Sequence, residues 1–288
     1  MIKLLALDLD GTLLNSRGLI SEENKRAIRL AEDKGVLVTI ATGRRFRDAR
    51  PVAIEIGFNA PIVTHNGALL KFAESLETVS FSLISTETVK EILHVGKHFG
   101  GDALVSADPK GKGKMFYDKV SQNNIPLQKY ILWAKRLHGD EAEESLHHVA
   151  RLEDVLDETE VIHISFSGDC DLMADLQRHL EEKLKDSANI LATIYPHLNF
   201  TLLDVLPPEA SKAAGLQRLA SLHGFSSDQV MVVGDNFNDL EMLEYAGTAV
   251  VMGNAAPELK AREEFFTTLS NDENGVALAI ERFILNCE

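Results

Sequence analysis

Three short apolar runs, each ending abruptly in a polar cluster, constrain this chain more than any other feature. They are Leu4-Leu5-Ala6-Leu7 before Asp8 and Asp10, Val36-Leu37-Val38-Thr39-Ile40-Ala41 before Thr42-Gly43-Arg44, and Gln229-Val230-Met231-Val232-Val233 before Gly234-Asp235-Asn236-Phe237-Asn238-Asp239. Runs this short, with almost no polar alternation, read as strands covered on both faces, the pattern of a parallel sheet flanked by helices. Helical stretches fall between them. Ser21 reads as the N-cap of a helix whose apolar face is Ala27, Ile28, Leu30 and Ala31 and which Gly35 stops. A second helix is expected from Phe46 to Ile56, ahead of another strand at Pro61–Thr64. In an open parallel sheet, ligands bind beyond the carboxyl ends of the strands, so the three clusters are expected at one crevice.

The texture changes near Leu83. Helices expected at Thr86–His98, Leu127–Leu137 and Asp171–Leu184 alternate with half-polar strands at Ala103–Ser106, Val161–Phe166 and Ile190–Tyr195. Pro207-Pro208 continues neither a strand nor a helix. The fold class expected is therefore α/β, a Rossmann-like parallel sheet formed by residues 1–82 and 208–288, with an α+β domain inserted at 83–207. The core resumes with a helix from Ser211-Lys212 to Leu222 and a helix from Leu240. A strand at Thr248–Met252, a helix near Pro257–Arg262, a strand at Phe265–Leu269 and a last helix from Gly275 complete it.

Composition narrows the function. With 45% hydrophobic and 25% charged residues among 288, the chain can bury a substantial core. A formal charge of −15 argues against nucleic acid or an anionic membrane as partner. Two cysteines, Cys170 and Cys287, make no disulfide framework and suit a reducing compartment. The opening apolar stretch is too short for a signal sequence, and no segment approaches the ~20 apolar residues of a spanning helix. A cytoplasmic protein is expected.

The carboxylates carry the chemistry. Asp8 and Asp10 repel one another unless a cation sits between them, and a divalent ion with hard oxygen ligands, Mg²⁺, fits. Taken alone, Asp10-Gly11-Thr12 also reads as a plain turn in which Asp10 or Thr12 caps a helix. Three polar clusters at one crevice weigh against that reading. Phosphoryl transfer needs such a set: an in-line nucleophile, and positive or hydrogen-bonding groups around the phosphoryl oxygens. Asp8 is the expected nucleophile, with Asp10 first the general acid and then the base that activates water. Asp8, the backbone carbonyl of Asp10, and Asp235 are expected to hold Mg²⁺, with Asp239 or Asn238 in reach directly or through water. Thr42 and the backbone N–H groups that follow it at Gly43 and Arg44 are expected on the phosphate. Lys212 is expected to neutralise Asp8.

These residues resemble the haloacid dehalogenase superfamily, and within it the Cof-type phosphatases with a large α/β cap (subclass IIB). The resemblance rests on Asp8-Leu9-Asp10-Gly11-Thr12-Leu13-Leu14, Ala41-Thr42-Gly43-Arg44, Asn66-Gly67-Ala68, Ser211-Lys212, Gly234 to Asp239, Met252-Gly253-Asn254-Ala255 and Ser270 to Val276. It implies an aspartyl-phosphate intermediate, Mg²⁺ dependence and a cap that contributes to substrate choice. It also implies that Asn66 and Asn254 lie at or near the phosphate or substrate. One stretch departs from the family pattern: Pro208-Glu209-Ala210-Ser211-Lys212-Ala213 lacks the usual glycines around the lysine.

Other signals are weaker. Pro109-Lys110-Gly111-Lys112-Gly113-Lys114 reads as a solvated hairpin turn, with a cationic substrate clamp as the alternative. His147-His148, His163 and Cys170 lack zinc spacing. Trp133, with Tyr130, Ile131 and Leu137, is expected in the core of the inserted domain. Arg45 and Arg47 either meet an anionic substrate or are solvated helix charges. The function expected is a Mg²⁺-dependent phosphatase for small phosphorylated metabolites, sugar phosphates first. The alternatives are a sugar phosphomutase and a phospho-ligand-binding regulator without turnover.

Overall fold

The computed structural model describes residues 1–286; Cys287 lies outside them, and Cys170 is a free thiol. The chain begins with β1 (Leu4–Leu7), α1 (Glu22–Asp33), β2 (Leu37–Ile40), α2 (Phe46–Ile56), β3 (Ile62–Thr64), β4 (Leu69–Lys71) and β5 (Thr78–Phe81). It continues through α3 (Thr86–His98), β6 (Asp102–Ala107), β7 (Lys114–Tyr117), α4 (Ile125–His138), α5 (Ala142–Ser145), β8 (Leu146–His148), β9 (Val161–Gly168), α6 (Cys170–Leu184), β10 (Asn189–Tyr195) and β11 (Phe200–Leu206). It ends with α7 (Lys212–Leu222), β12 (Val230–Gly234), α8 (Leu240–Tyr245), β13 (Thr248–Val251), α9 (Pro257–Lys260), β14 (Phe266–Thr267) and α10 (Gly275–Ile280). Two units emerge. One holds residues 1–44, 49–79 and 211 onward, and the other holds 45–48 and 80–210.

The first unit is built on a five-stranded parallel sheet in the order β14-β13-β12-β1-β2. All four residues of β1 are without exposure, as expected of a strand covered on both faces. Each of its leucines contributes roughly 1.5–3 kcal/mol by burial. Leu216 and Leu219 of α7 and Met242 and Leu243 of α8 pack with Leu4, Ala6, Val230 and Val232. On α1, Ser21 Oγ accepts from the Asn24 N–H at 3.1 Å, the N-cap its sequence promised, and Ala27, Ile28 and Ala31 are buried. Register places the chemistry: Leu7 pairs with both Val233 and Ile40, so Asp8, Gly234 and Ala41 stand level at the carboxyl ends of their strands.

One strand departs from expectation. Ile62–Thr64 joins the parallel sheet only through an isolated bridge from Val63 to Ala41 and otherwise pairs antiparallel with β4. The hairpin β3–β4, extended by β5, satisfies its backbone groups locally instead. β4, like β7, β8 and β11, has no separate apolar run to announce it.

The second unit is a six-stranded sheet in the order β10-β11-β9-β6-β7-β8, antiparallel except for the parallel β7–β8 pair. Val89, Ile92 and Leu93 of α3 and Met173, Leu176 and Leu180 of α6 pack on Val105, Ile164 and Phe166. Leu127, Ile131 and Ala134 of α4 pack on Met115 and Tyr117. Trp133 is not in this core; it is 39% exposed. A helix turns 100° per residue, so the stripe through Leu127, Ile131 and Ala134 leaves position 133 facing outward.

Candidate active site

Asp8 is the first residue past β1, and its N–H donates to the Val233 carbonyl at 2.9 Å, so the residue is held at the carboxyl end of its strand. The turn that follows needs Gly11, whose φ is +86°. A Cβ there would collide with the Asp235 carboxylate, so the turn also demands the close approach that only glycine allows. Thr12 Oγ1 donates to Asp235 Oδ1 at 3.0 Å and ties the turn after β1 to the loop after β12.

Lys212, the buried first residue of α7, closes the cluster. Its Nζ donates to Asp8 Oδ1 at 2.5 Å and to Asp239 Oδ1 at 2.6 Å. The other oxygen of Asp239 accepts the N–H groups of Asp235 and Asn236 at 3.0 and 3.1 Å. Asp239, fully buried, therefore anchors both the lysine and the loop that carries Asp235.

Charge is unevenly settled here. Burial, then the charge of Asp239, raises the Asp8 carboxyl well above the ordinary range, although Lys212 opposes both. Burial and Asp239 likewise push Asp235 up to about 6 against the hydrogen bond from Thr12. Burial works against the Lys212 ammonium, but Asp239 and Asp8 outweigh it and hold its proton more tightly than usual. One lysine thus faces three carboxylates. Oxygens of Asp8, Asp235 and Asp239 all lie within 4.8 Å of one another. Hard oxygen donors with surplus negative charge fit a divalent cation.

The loop after β2 completes the arrangement. Arg44 grips Asp10 through two parallel hydrogen bonds, Nε to Oδ2 at 2.8 Å and Nη2 to Oδ1 at 2.5 Å. The Arg44 N–H donates to the buried Thr42 Oγ1 at 3.1 Å. The Thr42 carbonyl accepts the Asn66 N–H at 3.1 Å, and Asn66 lies in the left-handed region at φ 49° and ψ 41°. Its buried Oδ1 has no partner and stands about where a Cβ on Gly43 would meet it, at 3.0 Å.

Two further expected residues lie on the loops around this cluster. Asn254 spends its amide on staples, Nδ2 to the Gly11 carbonyl at 2.9 Å and Oδ1 to the Asn271 N–H at 3.0 Å. Asn238 is exposed, on the loop between Asp235 and Asp239. Thr12, read from sequence only as an alternative helix cap, donates to Asp235 instead, and Asn271 was given no individual role. Asn271 Nδ2 donates to the Leu14 carbonyl at 2.9 Å, so with Thr12 it shapes the turn around Asp8. Thr12 was visible in principle as a hydroxyl two residues beyond Asp10; Asn271 had no such local cue.

In the other unit, Arg45 and Arg47 are both buried, not solvated. Arg45 makes a two-pronged pair with Asp48 at 2.8 and 2.9 Å. Asp48 also accepts from Tyr130 Oη at 2.7 Å and lies 2.9 Å from His138 Nε2. Arg47 Nη2 bonds Glu141 Oε2 at 2.9 Å. His163 is buried, with Nε2 at 2.9 Å from Asp204 Oδ1. Pro109–Lys114 is the β6–β7 hairpin turn, as expected.

Comparison with known proteins points one way. The model of the haloacid dehalogenase-like hydrolases matches residues 5–280. A 5-amino-6-(5-phospho-D-ribitylamino)uracil phosphatase of Bacillus subtilis, YwtE, is 31% identical over 300 residues, covering 98% of each chain. An HMP-PP phosphatase of Klebsiella pneumoniae is 29% identical, over 91% of this chain and 88% of its own. Among solved structures, a haloacid dehalogenase-like hydrolase from Bacteroides thetaiotaomicron superposes with a TM-score of 0.80 at 27% identity. That match covers 98% of this chain and 99% of the other.

Proposed function

The chain belongs to the haloacid dehalogenase-like hydrolases, and from that premise we propose that it is a Mg²⁺-dependent phosphatase of small phosphorylated metabolites, sugar phosphates foremost. The observation that carries this reading is the buried Asp8–Lys212–Asp239 chain beside an exposed, separately held Asp10. A ligand-binding regulator has no need of that second carboxylate. Relatives named as phosphatases support the class of reaction.

Asp8, the Asp10 carbonyl and Asp235 would hold Mg²⁺, with Asp239 or Asn238 directly or through water. When bound, the ion offsets the surplus charge of the carboxylates and polarises the phosphoryl oxygens. Lys212 aims one Asp8 oxygen and leaves the other to attack phosphorus. Asp10 gives its proton to the leaving oxygen, then takes one from the water that cleaves the aspartyl phosphate. An acid–base group cannot keep both oxygens on a guanidinium, so turnover requires Arg44 to release Asp10. The incoming phosphate is the natural acceptor for that fork. Asp239 then acts by positioning Lys212 and the Asp235 loop. Residues 83–207 serve as the cap that selects the substrate.

Release of inorganic phosphate from a broad panel of phosphorylated metabolites tests the reading. Mg²⁺-dependent release is expected, lost in EDTA and reduced by roughly 10⁴-fold in Asp8→Asn. Isomerised sugar phosphate without release would establish a phosphomutase instead.

A further inference from the structure

The Lys110–Lys114 turn and Arg47 put cations in the second unit that the proposed chemistry does not use. Arg47, Asp108, Lys112, Lys114, Glu144 and His147 line an open hollow of about 370 Å³. That is the size of a small-molecule site. We propose that this hollow, wholly within the unit of residues 45–48 and 80–210, binds the phosphate or carboxylate group of a small polar metabolite.

Arg47 is the most buried cation of the lining. It is 6% exposed, with Nη1 on the Gly113 carbonyl at 3.3 Å and Nη2 on Glu141. Its Nε–H, also buried, has no acceptor. Arg47 is a permanent cation on the wall of the open hollow, and it shares its carboxylate partner with a lysine. Lys114 adds an exposed ammonium without an ion-pair or hydrogen-bond partner among the described residues. Glu141 is shared between Arg47 and Lys112, whose Nζ lies 2.6 Å from Oε1, so one carboxylate serves two cations.

Two acids also line the wall and make its charge mixed. Asp108 is engaged in the turn, accepting the Gly111 N–H at 3.0 Å, and Glu144 is exposed. Both remain able to accept from hydroxyl or amino groups, which fits a ligand that is polar along its length and anionic at one end. His147, held against Phe116 with ring centroids 5.1 Å apart, also lines the hollow and so reports on it.

The test follows the His147 imidazole resonance by NMR, assigned with His147→Gln, while inorganic phosphate is titrated at constant ionic strength and pH 7. A saturable shift at millimolar phosphate is expected, weakened at least ten-fold in Lys114→Ala and absent with chloride. No saturable shift, an equal shift with chloride, or the same affinity in Lys114→Ala overturns the site. A second measurement separates two sources of the anion: kcat/KM for a sugar bisphosphate relative to the matching monophosphate. A ten-fold fall of that ratio in Lys114→Ala assigns the hollow to the substrate's second anionic group. An unchanged ratio with the His147 shift intact assigns it to a separate anion. The titration needs no turnover, so a wild-type protein that releases no phosphate would defeat the phosphatase reading and leave this site standing.

Discussion

Lys212 is the residue on which most of the candidate site depends. Its ammonium answers two buried carboxylates, and among the described residues neither Asp8 nor Asp239 has another ion-pair partner. Replacing it strands both charges, a loss of about 3–5 kcal/mol where a buried pair is broken. Lys212→Met is therefore expected to unfold at distinctly lower denaturant and to lower kcat by roughly 10²–10³-fold. Chemical denaturation and steady-state kinetics on one preparation check both, and wild-type turnover in that variant would exclude the role given to Lys212. Asp10 differs in kind. It is exposed and held by one arginine, an arrangement that permits movement where Asp8 has none.

At the scale of elements, the turn between β1 and α1 and the first turn of α2 are the two constrained pieces. Gly11→Ala must adopt a left-handed conformation and displace Asp235 at once, so it is expected to cost more than about 1 kcal/mol. It should also weaken Mg²⁺ binding measured by calorimetry; a variant that melts and binds like wild type would contradict the geometry. In the first turn of α2, burial opposes the Asp48 charge, but Arg45, His138 and Tyr130 together outweigh it and hold the carboxyl well below its usual value. A carboxyl lowered in the folded state stabilises fully above the ordinary carboxylate pKa of about 4. That contribution is withdrawn as pH falls through the lowered folded value. Asp48→Asn is thus expected to cost about 3–5 kcal/mol at pH 7, where it leaves Arg45 buried and uncompensated. The difference from wild type should shrink in strong acid. Thermal melts across pH 2–7 decide it, and a gap that widens in acid would reverse the sign.

On the scale of the whole molecule, two units with separate hydrophobic cores should respond separately to ligands. The carboxylate cluster lies wholly in the unit of residues 1–44, 49–79 and 211 onward. A cation that binds only the native state adds RT ln(1 + [L]/Kd), about 2.7 kcal/mol at a hundred-fold excess over Kd. Hydrogen exchange with and without Mg²⁺ is expected to show added protection in β1, α7 and β12 and little change in β6, β9 and α6. Equal protection in both units would mean that they open as one. Among the described residues no helix is long and apolar enough to cross a membrane.

Much of this was legible before any coordinates. The apolar runs ending at Leu7, Ala41 and Val233 named three parallel strands, because strands covered on both faces cannot alternate. Topology then sent their polar ends to one end of the sheet, as the Leu7 register with Val233 and Ile40 shows. The cap at Ser21, and helices Phe46–Ile56 and Thr86–His98, were local matters of hydrogen bonding and periodicity. β4 and β11 were not legible, since their apolar residues merge with turns or interrupt themselves with Asp204. Trp133 has helical spacing from its neighbours, but only packing chose which stripe of α4 went inside. Lys212 was expected on Asp8, and it lies there, but the other pairings of cation with carboxylate were not read from the sequence. Arg44 with Asp10, Lys212 with Asp239, and Tyr130 with Asp48 depend on contacts across tens of residues, and Arg45 with Asp48, three residues apart, on side-chain direction. Short-range propensity determines elements and the end of the sheet to which they deliver charge. The pairing of charges is a property of the packed chain, because burial alone decides which of them must be neutralised.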